Sequence, residues 1–175
     1  MRSPALPPPG NVSLALAIRE IRPDEFDLLW PIFQSVVAAG DTYAYDPAIP
    51  LETARALFTT PPARCFVAQD GGRTVGAYCL QPNQPGLGSH VANAGYMVAE
   101  EARGRGIAGQ LCEHSLAIAR EAGFLAMQFN FVVATNEVAI RVWQRHGFAI
   151  VGRVPQAFRH ARLGLTDVLI LHRLL

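Results

Sequence analysis

The sequence predicts a single α/β domain in which a mixed β-sheet is flanked by helices on both faces. Its length of 175 residues suits one domain, and a hydrophobic content of 50% is enough for a core. Runs with strand and helix periodicity follow one another in the order β-α-α-β-β-β-α-β-α-β-β. Hairpin strands next to βαβ units build a mixed sheet. Residues 1–13 are expected to be a disordered, proline-rich tail and residues 14–175 the domain.

Glycine, proline and capping residues mark the boundaries of the elements. Gly40 ends the first helix, and Pro31 inside it predicts a kink or two segments. Asp70-Gly71-Gly72 between two strand-like runs is a strong hairpin signal, and Asn136 is a cap for the last helix. The predicted strands are 14–21, 64–69, 73–80, 90–99, 125–133, 148–154 and 165–174, and the predicted helices are 26–40, 51–58, 107–123 and 136–146.

Charge and hydropathy argue against several classes of partner. The net charge is only +1, lysine is absent and the arginines are dispersed, so no basic face for nucleic acid is evident. Segment 1–10 has four prolines and no apolar stretch of signal-peptide length. No run approaches the about 18 apolar residues of a membrane span. Neither a nucleic acid nor a membrane is expected as a partner.

The cysteines and histidines suggest no metal or redox site. Cys65, Cys79 and Cys112 match no CxxC pattern, and the first two lie in apolar, strand-like runs. They are expected to be buried, reduced thiols, which favours a cytoplasmic protein. His90 begins a predicted strand and His114 lies on a predicted helix. The other histidines, His146, His160 and His172, form no ligand spacing with a cysteine or an acid, so no metal is predicted.

A glycine-rich turn after the fourth predicted strand carries the main chemical signal. Segment 103–109 follows that strand and opens a helix. Unpaired N–H groups at a helix start, together with the helix dipole, favour an anion. Glycines let a phosphate approach the backbone, and arginines add charge-assisted hydrogen bonds. The turn therefore predicts a ligand that carries a pyrophosphate.

Two other interpretations of this turn exist. Gly104, Gly106 and Gly109 satisfy the GxGxxG pattern of dinucleotide-binding folds. Such a fold also needs an acid about 20 residues later, at the end of the next strand, whereas segment 133–136 has none. A glycine turn that only caps a helix, without a ligand, is the third interpretation.

Two motifs resemble those of GCN5-related N-acetyltransferases. Segment 103–108, Arg-Gly-Arg-Gly-Ile-Ala, resembles the family signature [Arg/Gln]-x-x-Gly-x-[Gly/Ala], and Asn136, Ala139 and Gly147-Phe148 resemble its second motif. The likeness covers roughly residues 18–175. It implies a sheet that splays open at the turn, the acyl-CoA N-acyltransferase fold, with acetyl-CoA as co-substrate. The implied cofactor-binding residues are Met97 and Val98 on the strand, Arg103, Gly104, Arg105, Gly106, Ile107, Ala108 and Gly109 in the turn, and Asn136 at the pantetheine arm.

The resemblance also points to an acceptor pocket. The loop between the first two helices helps to form this pocket in the family, and Asp41, Tyr43 and Tyr45 in loop 40–47 suit a small polar amine. Asn93 and Asn130 are polar residues in runs that should be buried, where an amide needs partners. They suit the carboxylate or amide of an amino acid. The alternatives are a packed surface turn for the loop and hydrogen bonds within the sheet for the two asparagines.

The function predicted from these residues is N-acetylation of a small amine, either an amino acid or an analogue. The loop and segment 128–136 resemble a subgroup that acetylates toxic amino-acid analogues such as azetidine-2-carboxylate and phosphinothricin. The family often has a tyrosine that acts as the general acid, and this sequence has Trp143 at that position. Trp143 is expected to pack in the core, and no catalytic residue is assigned. A non-catalytic acyl-CoA sensor, another acyl group and a protein acceptor remain alternatives. The apolar last strands offer a surface for a homodimer.

Overall fold

The computed structural model describes residues 16–175, so the predicted tail lies outside the described part. The elements occur in the predicted order. Short 3-10 helices lie at Pro23–Leu28, Gly86–Gly88 and Glu100–Ala102. The strands are β1 (Ala17–Glu20), β2 (Arg64–Asp70), β3 (Arg73–Pro82), β4 (Val91–Val98), β5 (Ala126–Val133), β6 (Ala149–His160) and β7 (Gly164–Leu174), and the helices are α1 (Trp30–Ala39), α2 (Leu51–Thr59), α3 (Ile107–Glu121) and α4 (Glu137–Arg145).

One sheet contains all seven described strands, in the order β1-β2-β3-β4-β5-β7-β6. The β4–β5 pair is parallel and the other pairs are antiparallel, which confirms the predicted mixed sheet. Gly71 and Gly72 both have positive φ in the β2–β3 hairpin, where other residues would be strained. None of the helices in residues 16–175 is long and apolar enough to cross a membrane.

Both faces of the sheet are covered, as neighbouring residues of β4 show. Adjacent strand residues point to opposite faces. The hydroxyl of Tyr96 lies 2.7 Å from Oγ of Ser115 in α3. A Cβ on Gly95 would instead lie 3.0 Å from the hydroxyl of Tyr43, in the α1–α2 loop. Helix α3 therefore covers one face, and the α1–α2 loop covers the other.

Two proline effects explain where the structure follows or departs from the predicted boundaries. Pro31 lies in the first turn of α1, where its missing N–H costs nothing, and a 3-10 segment precedes it; the predicted division into two segments is confirmed. The prediction that β6 ends at residue 154 is wrong. A bulge accommodates Pro155, and pairing with β7 resumes at Phe158.

The expectation of reduced thiols at Cys65 and Cys79 is also wrong. The two residues are direct partners across β2 and β3, with Cα atoms 4.1 Å apart, and they form a disulfide. The sequence does not show this because register depends on the hairpin as a whole. The cytoplasmic location stays a prediction, and these two residues no longer support it. Cys112 is free and buried, and burial raises the pKa of its thiol to about 12.

The bulge in β6 is held by one carboxylate. Gln156 has φ +51°, and its N–H donates to Asp167 over 3.0 Å. Arg153 donates to the other oxygen over 2.6 Å. The Gln156 backbone bond and then the Arg153 bond hold the pKa of Asp167 below its usual value. Asp167 thus stabilises the bend in the β6–β7 hairpin through its ionised form.

We expect Asp167→Asn to lower the melting temperature at pH 7 but not at pH 2. A carboxylate whose folded pKa is depressed adds stability above its unfolded pKa of about 3.9, and loses it as pH falls through the folded pKa. Thermal melts from pH 7 to pH 2 measure the difference. Asp24→Asn, at an exposed pair with Arg22, is the control and should have little effect. A deficit of equal size at both pH values would contradict the role of the charge.

Candidate functional site

Strands β4 and β5 diverge in the middle of the sheet. Their register contains three pairs, of which Asn93 with Gln128 is the last. Beyond it β4 continues beside β3 as far as Val98, and β5 continues beside β7 as far as Val133. Segments 94–98 and 129–133 therefore border an open gap, to which each strand presents backbone groups without a partner strand.

The alternation of the backbone decides which groups of β4 face this gap. The N–H of Ala99 donates to the carbonyl of Val75 in β3, so the alternate residue Met97 also directs its backbone to β3. Tyr96 and Val98 therefore face the gap. The carbonyl of Tyr96 already accepts a hydrogen bond from the Tyr43 hydroxyl, over 2.9 Å. Of the two strand residues predicted to bind cofactor, Val98 faces the gap and Met97 does not.

The glycine turn lies directly after the gap. Gly104 and Gly106 have φ of +76° and +77°, and no atom lies within 4 Å of where either would carry a Cβ. Gly106 is the residue before α3, so the first N–H groups of the helix, at Ile107, Ala108 and Gly109, have no acceptor within the helix. This geometry offers a row of donors to an anion, with open space in front of it.

The two arginines of the turn differ in their surroundings. Arg105 forms an ion pair with Asp70 from the β2–β3 hairpin. Arg103 forms no ion pair with any residue in 16–175. Its guanidinium is the one more available to a phosphate.

Aromatic rings fill the α3–α4 side of the gap. Trp143 is 6% exposed, and its ring lies 4.6 Å from that of Tyr96 in β4 and 5.2 Å from that of Phe129 in β5. The expectation that Trp143 is a core ring is confirmed. We call Tyr96, Phe129 and Trp143 the aromatic layer. Through it, Trp143 of α4 packs against both diverging strands on the side of the sheet that faces α3 and α4.

Tyr96 belongs to this core and is unsuited to acid catalysis. Ser115 uses its proton on the Cys112 carbonyl, so the Tyr96 hydroxyl donates to Ser115. Burial raises the pKa of Tyr96 well above its usual value, and the hydroxyl stays protonated.

At the start of α4, Asn136 accepts the N–H of Ala139 over 3.2 Å with its side-chain oxygen. The amide N–H groups of Asn136 remain for a ligand.

The three predicted residues of the α1–α2 loop have different environments. Tyr43 covers Gly95 and bonds the β4 backbone, so it anchors the loop on the strand next to the gap. The ring of Tyr45 lies 5.5 Å from that of Phe33 and 5.7 Å from that of Phe58, and it packs against the helices. Asp41 is half-buried and forms no ion pair with residues 16–175.

Four amide side chains form a cluster where the gap begins. Asn93 donates to the Gln128 carbonyl over 2.9 Å. The Gln128 side chain donates to Asn130 over 2.8 Å, and Asn130 donates to Asn83 over 2.6 Å. We call these four residues the amide cluster. Register places Asn93 and Gln128 on one face, which is also the face of Gly95 and thus of the Tyr43 loop.

Sequence reasoning found half of this cluster. Asn93 and Asn130 stood out as polar residues in apolar runs, whereas Gln128 entered only as part of segment 128–136 and Asn83 did not enter at all. Asn83 lies in a loop without periodicity, and its only signal is that β3 ends beside it. Among residues 16–175 no three potential metal ligands come together. The gap thus combines a row of N–H donors at one end with the amide cluster at the other. This arrangement suits an anionic ligand bound at the first end and a small polar molecule bound at the second.

Comparison with known proteins agrees with this geometry. Residues 22–148 match the model of the acetyltransferase (GNAT) family. A GCN5-related N-acetyltransferase from Kribbella flavida is 44% identical, with a TM-score of 0.87 over 92% of this chain and 98% of that one. A phosphinothricin acetyltransferase from Sinorhizobium meliloti, solved with acetyl-CoA, is 20% identical, with a TM-score of 0.81 over 93% of this chain and 89% of that one, a likeness of fold alone.

A curated relative matches over a shorter region. It is the N-acetyltransferase aca1 of Schizosaccharomyces pombe, which is 39% identical over 85 residues. The match spans 49% of this chain and 41% of that relative, so less than half of the relative is represented.

Proposed function

The chain belongs to the acetyltransferase (GNAT) family, and on that premise we propose that it transfers the acetyl group of acetyl-CoA to the amine of a small molecule, an amino acid or an analogue. One observation carries the proposal: the donor row of the glycine turn and the amide cluster lie at the two ends of the same gap between β4 and β5.

The cofactor side is argued from the backbone. The N–H groups of Gly106, Ile107, Ala108 and Gly109 would hold the pyrophosphate of acetyl-CoA, with the Arg103 guanidinium beside them. Val98 would bond the pantetheine arm along the gap, and the Asn136 amide would contact that arm from α4. Because these contacts are mostly backbone groups, they depend on the conformation of the turn more than on its side chains.

The acceptor side is argued from the amide cluster and the loop. Amide N–H groups can donate to a carboxylate, and amide oxygens can accept from an amine. Asp41 in the same loop as Tyr43 has a carboxylate without an ion pair, which would attract an ammonium group. An amino acid or an analogue offers both groups. This supports the proposal that the acceptor is of the kind used by the subgroup that acetylates toxic amino-acid analogues.

Acetyl-CoA supplies a thioester that a neutral amine can attack. The N–C bond forms as the C–S bond breaks, the thiolate leaves as CoA, and the amine gives up a proton. Trp143 and Tyr96 are committed to the aromatic layer, so the chain's contribution is orientation: it holds both reactants in one gap. The proton passes to solvent or to the acceptor's own basic group.

The test is release of free CoA from acetyl-CoA, read with a thiol reagent across amino acids, their toxic analogues, polyamines and a peptide N-terminus. Turnover with an amino acid or analogue is the expected result. Binding of acetyl-CoA by calorimetry without turnover would favour a sensor or another acyl group, and turnover of the peptide alone would favour a protein acceptor. Absence of both binding and turnover would overturn the proposal.

We expect Asn93→Ala to raise KM for the acceptor about tenfold and to leave the affinity for acetyl-CoA unchanged. The substitution removes one end of the amide cluster, and a lost hydrogen bond to a charged group is worth about 1.5–3 kcal/mol. Steady-state kinetics and calorimetry measure the two quantities. Gln144→Ala, an amide exposed on α4, is the matched control. An unchanged KM would remove Asn93 from the acceptor site.

We also propose a homodimer formed through the end of the sheet. Strand β6 is the edge strand, and it exposes Ile150, Val151 and Val154. Such an edge is a ready template for pairing with another chain. Sedimentation of the full chain gives the answer, and a mass of one subunit at all concentrations would contradict it.

A further inference from the structure

The far end of the β6–β7 hairpin bends over the face that carries the Tyr43 loop. The bulge held by Asp167 redirects the strands, and Ala161, in the turn, donates its N–H to the Gly40 carbonyl over 2.8 Å. A Cβ on Gly40 would lie 2.9 Å from that of Ala161. Gly40 begins loop 40–47, and Tyr43 is three residues on, within about 11 Å along the chain.

The same hairpin end also reaches β5. Phe158 is 5% exposed and packs with Val133 and Val168 in a small core of its own. Its ring lies 6.1 Å from that of Phe131, which directly follows Asn130 of the amide cluster. The hairpin end therefore spans from the loop that carries Asp41 to the strand that carries Asn130, and it walls the space between them.

His160 lies in this wall and is buried with one nitrogen uncommitted. It is 6% exposed. Nδ1 accepts the N–H of Arg162 over 3.1 Å. A backbone N–H is always the donor, so the proton of the neutral ring is on Nε2.

No residue in 16–175 accepts that proton. Nε2 forms no hydrogen bond with any of these residues. It is nevertheless accessible to solvent. The His160 ring lies between Phe158, which packs beside Phe131, and Ala161, which bonds the Gly40 carbonyl. A free donor in this wall is suited to a ligand oxygen in the space that the wall borders.

We propose that His160 is a specificity-determining residue of the acceptor pocket, donating from Nε2 to a carboxylate or other oxygen of the acceptor. This proposal rests on the proposed function and narrows it: the acceptor is an amine that also carries an oxygen acceptor group, held jointly by His160 and the amide cluster.

The experiment compares two acceptors in wild-type, His160→Leu and His160→Gln enzymes. One acceptor is the amino acid that the wild type uses best. The other is the same amine without its carboxylate, measured as substrate or as competitive inhibitor. His160→Leu should lower kcat/KM about tenfold for the first acceptor. It should leave kcat/KM or the inhibition constant of the second acceptor unchanged, because only the first contains the carboxylate. His160→Gln, which keeps a donor, should recover part of the loss. His90→Leu, at an exposed histidine before β4, is the control.

The outcomes separate the two proposals. No turnover of any amine by the wild type overturns the proposed function, and the role of His160 with it. Wild-type turnover with equal losses for both acceptors, or with no loss, overturns the role of His160 alone. Should His160→Leu fail to fold, the NMR signals of the histidine rings in the wild-type protein provide the test of His160 instead. Saturating acceptor should shift the His160 signals and not those of His90, and unmoved His160 signals would overturn the proposal.

Discussion

Gly106→Glu is expected to reduce the affinity for acetyl-CoA by more than about a hundredfold while the protein remains folded. Gly106 has φ +77° and faces open space, so a larger residue meets no atom but adopts a left-handed conformation at a cost of about 1–2 kcal/mol. The glutamate carboxylate would stand in front of the first N–H groups of α3. It would compete with the pyrophosphate for these donors and repel it, and every 1.4 kcal/mol lost is a tenfold weaker affinity.

Two variants separate charge from strain at this position. Gly106→Ala has the same backbone cost without the charge and should weaken binding far less. Gly123→Glu, after the other end of α3, also has positive φ and nothing within 4 Å, and it should not affect binding. Calorimetry with acetyl-CoA gives the affinity and circular dichroism reports the fold. Unchanged affinity in a folded Gly106→Glu protein would remove the turn from the cofactor site.

Trp143→Ala should lower the free energy of unfolding by about 3–5 kcal/mol, the usual loss for a large aromatic residue in a core. The ring contacts Tyr96 and Phe129 on the two strands that diverge, and no strand pairing holds them together at that level. Deleting it leaves a cavity beneath the gap, so acetyl-CoA affinity should fall as well. Urea denaturation measures the stability.

The controls also test whether Trp143 has any chemical part. Val138→Ala, 68% exposed on the same helix, should stay within about 0.5 kcal/mol of the wild type. Trp143→Phe retains a packed ring without the indole N–H, and it should keep turnover with a smaller loss of stability. A stable Trp143→Ala protein would contradict the packing role, and inactive but stable Trp143→Phe would point to a direct part for the indole.

Local patterns account for the parts of the fold and site that could be predicted. Helix and strand periods, and glycines with positive φ such as Gly40 and Gly106, depend on a few neighbouring residues. The element order, the mixed sheet and the glycine turn before α3 follow from them. Boundaries were wrong where distant groups intervene: β6 continues past Pro155 because Asp167, on the neighbouring strand, holds the bulge.

The candidate site is divided in the same way. Asn93 and Asn130 could be singled out because polar residues in apolar runs are visible in the sequence, whereas Asn83 joins them only through contact across 47 positions. Likewise Met97 and Val98 are equivalent in the sequence. Only the hydrogen-bond alternation against β3 turns one toward the gap and the other away.

The sequence by itself determined the family, the order of the elements and the glycine turn, because these are properties of contiguous residues. Tertiary structure alone decided that β4 and β5 part after Asn93, that Cys65 lies opposite Cys79, and that the β6–β7 turn rests on Gly40 and brings His160 to the side of the sheet that carries the Tyr43 loop. The physical reason is that strand register and docking depend on contacts between segments far apart in the chain, and a shift of one residue would redirect every side chain involved.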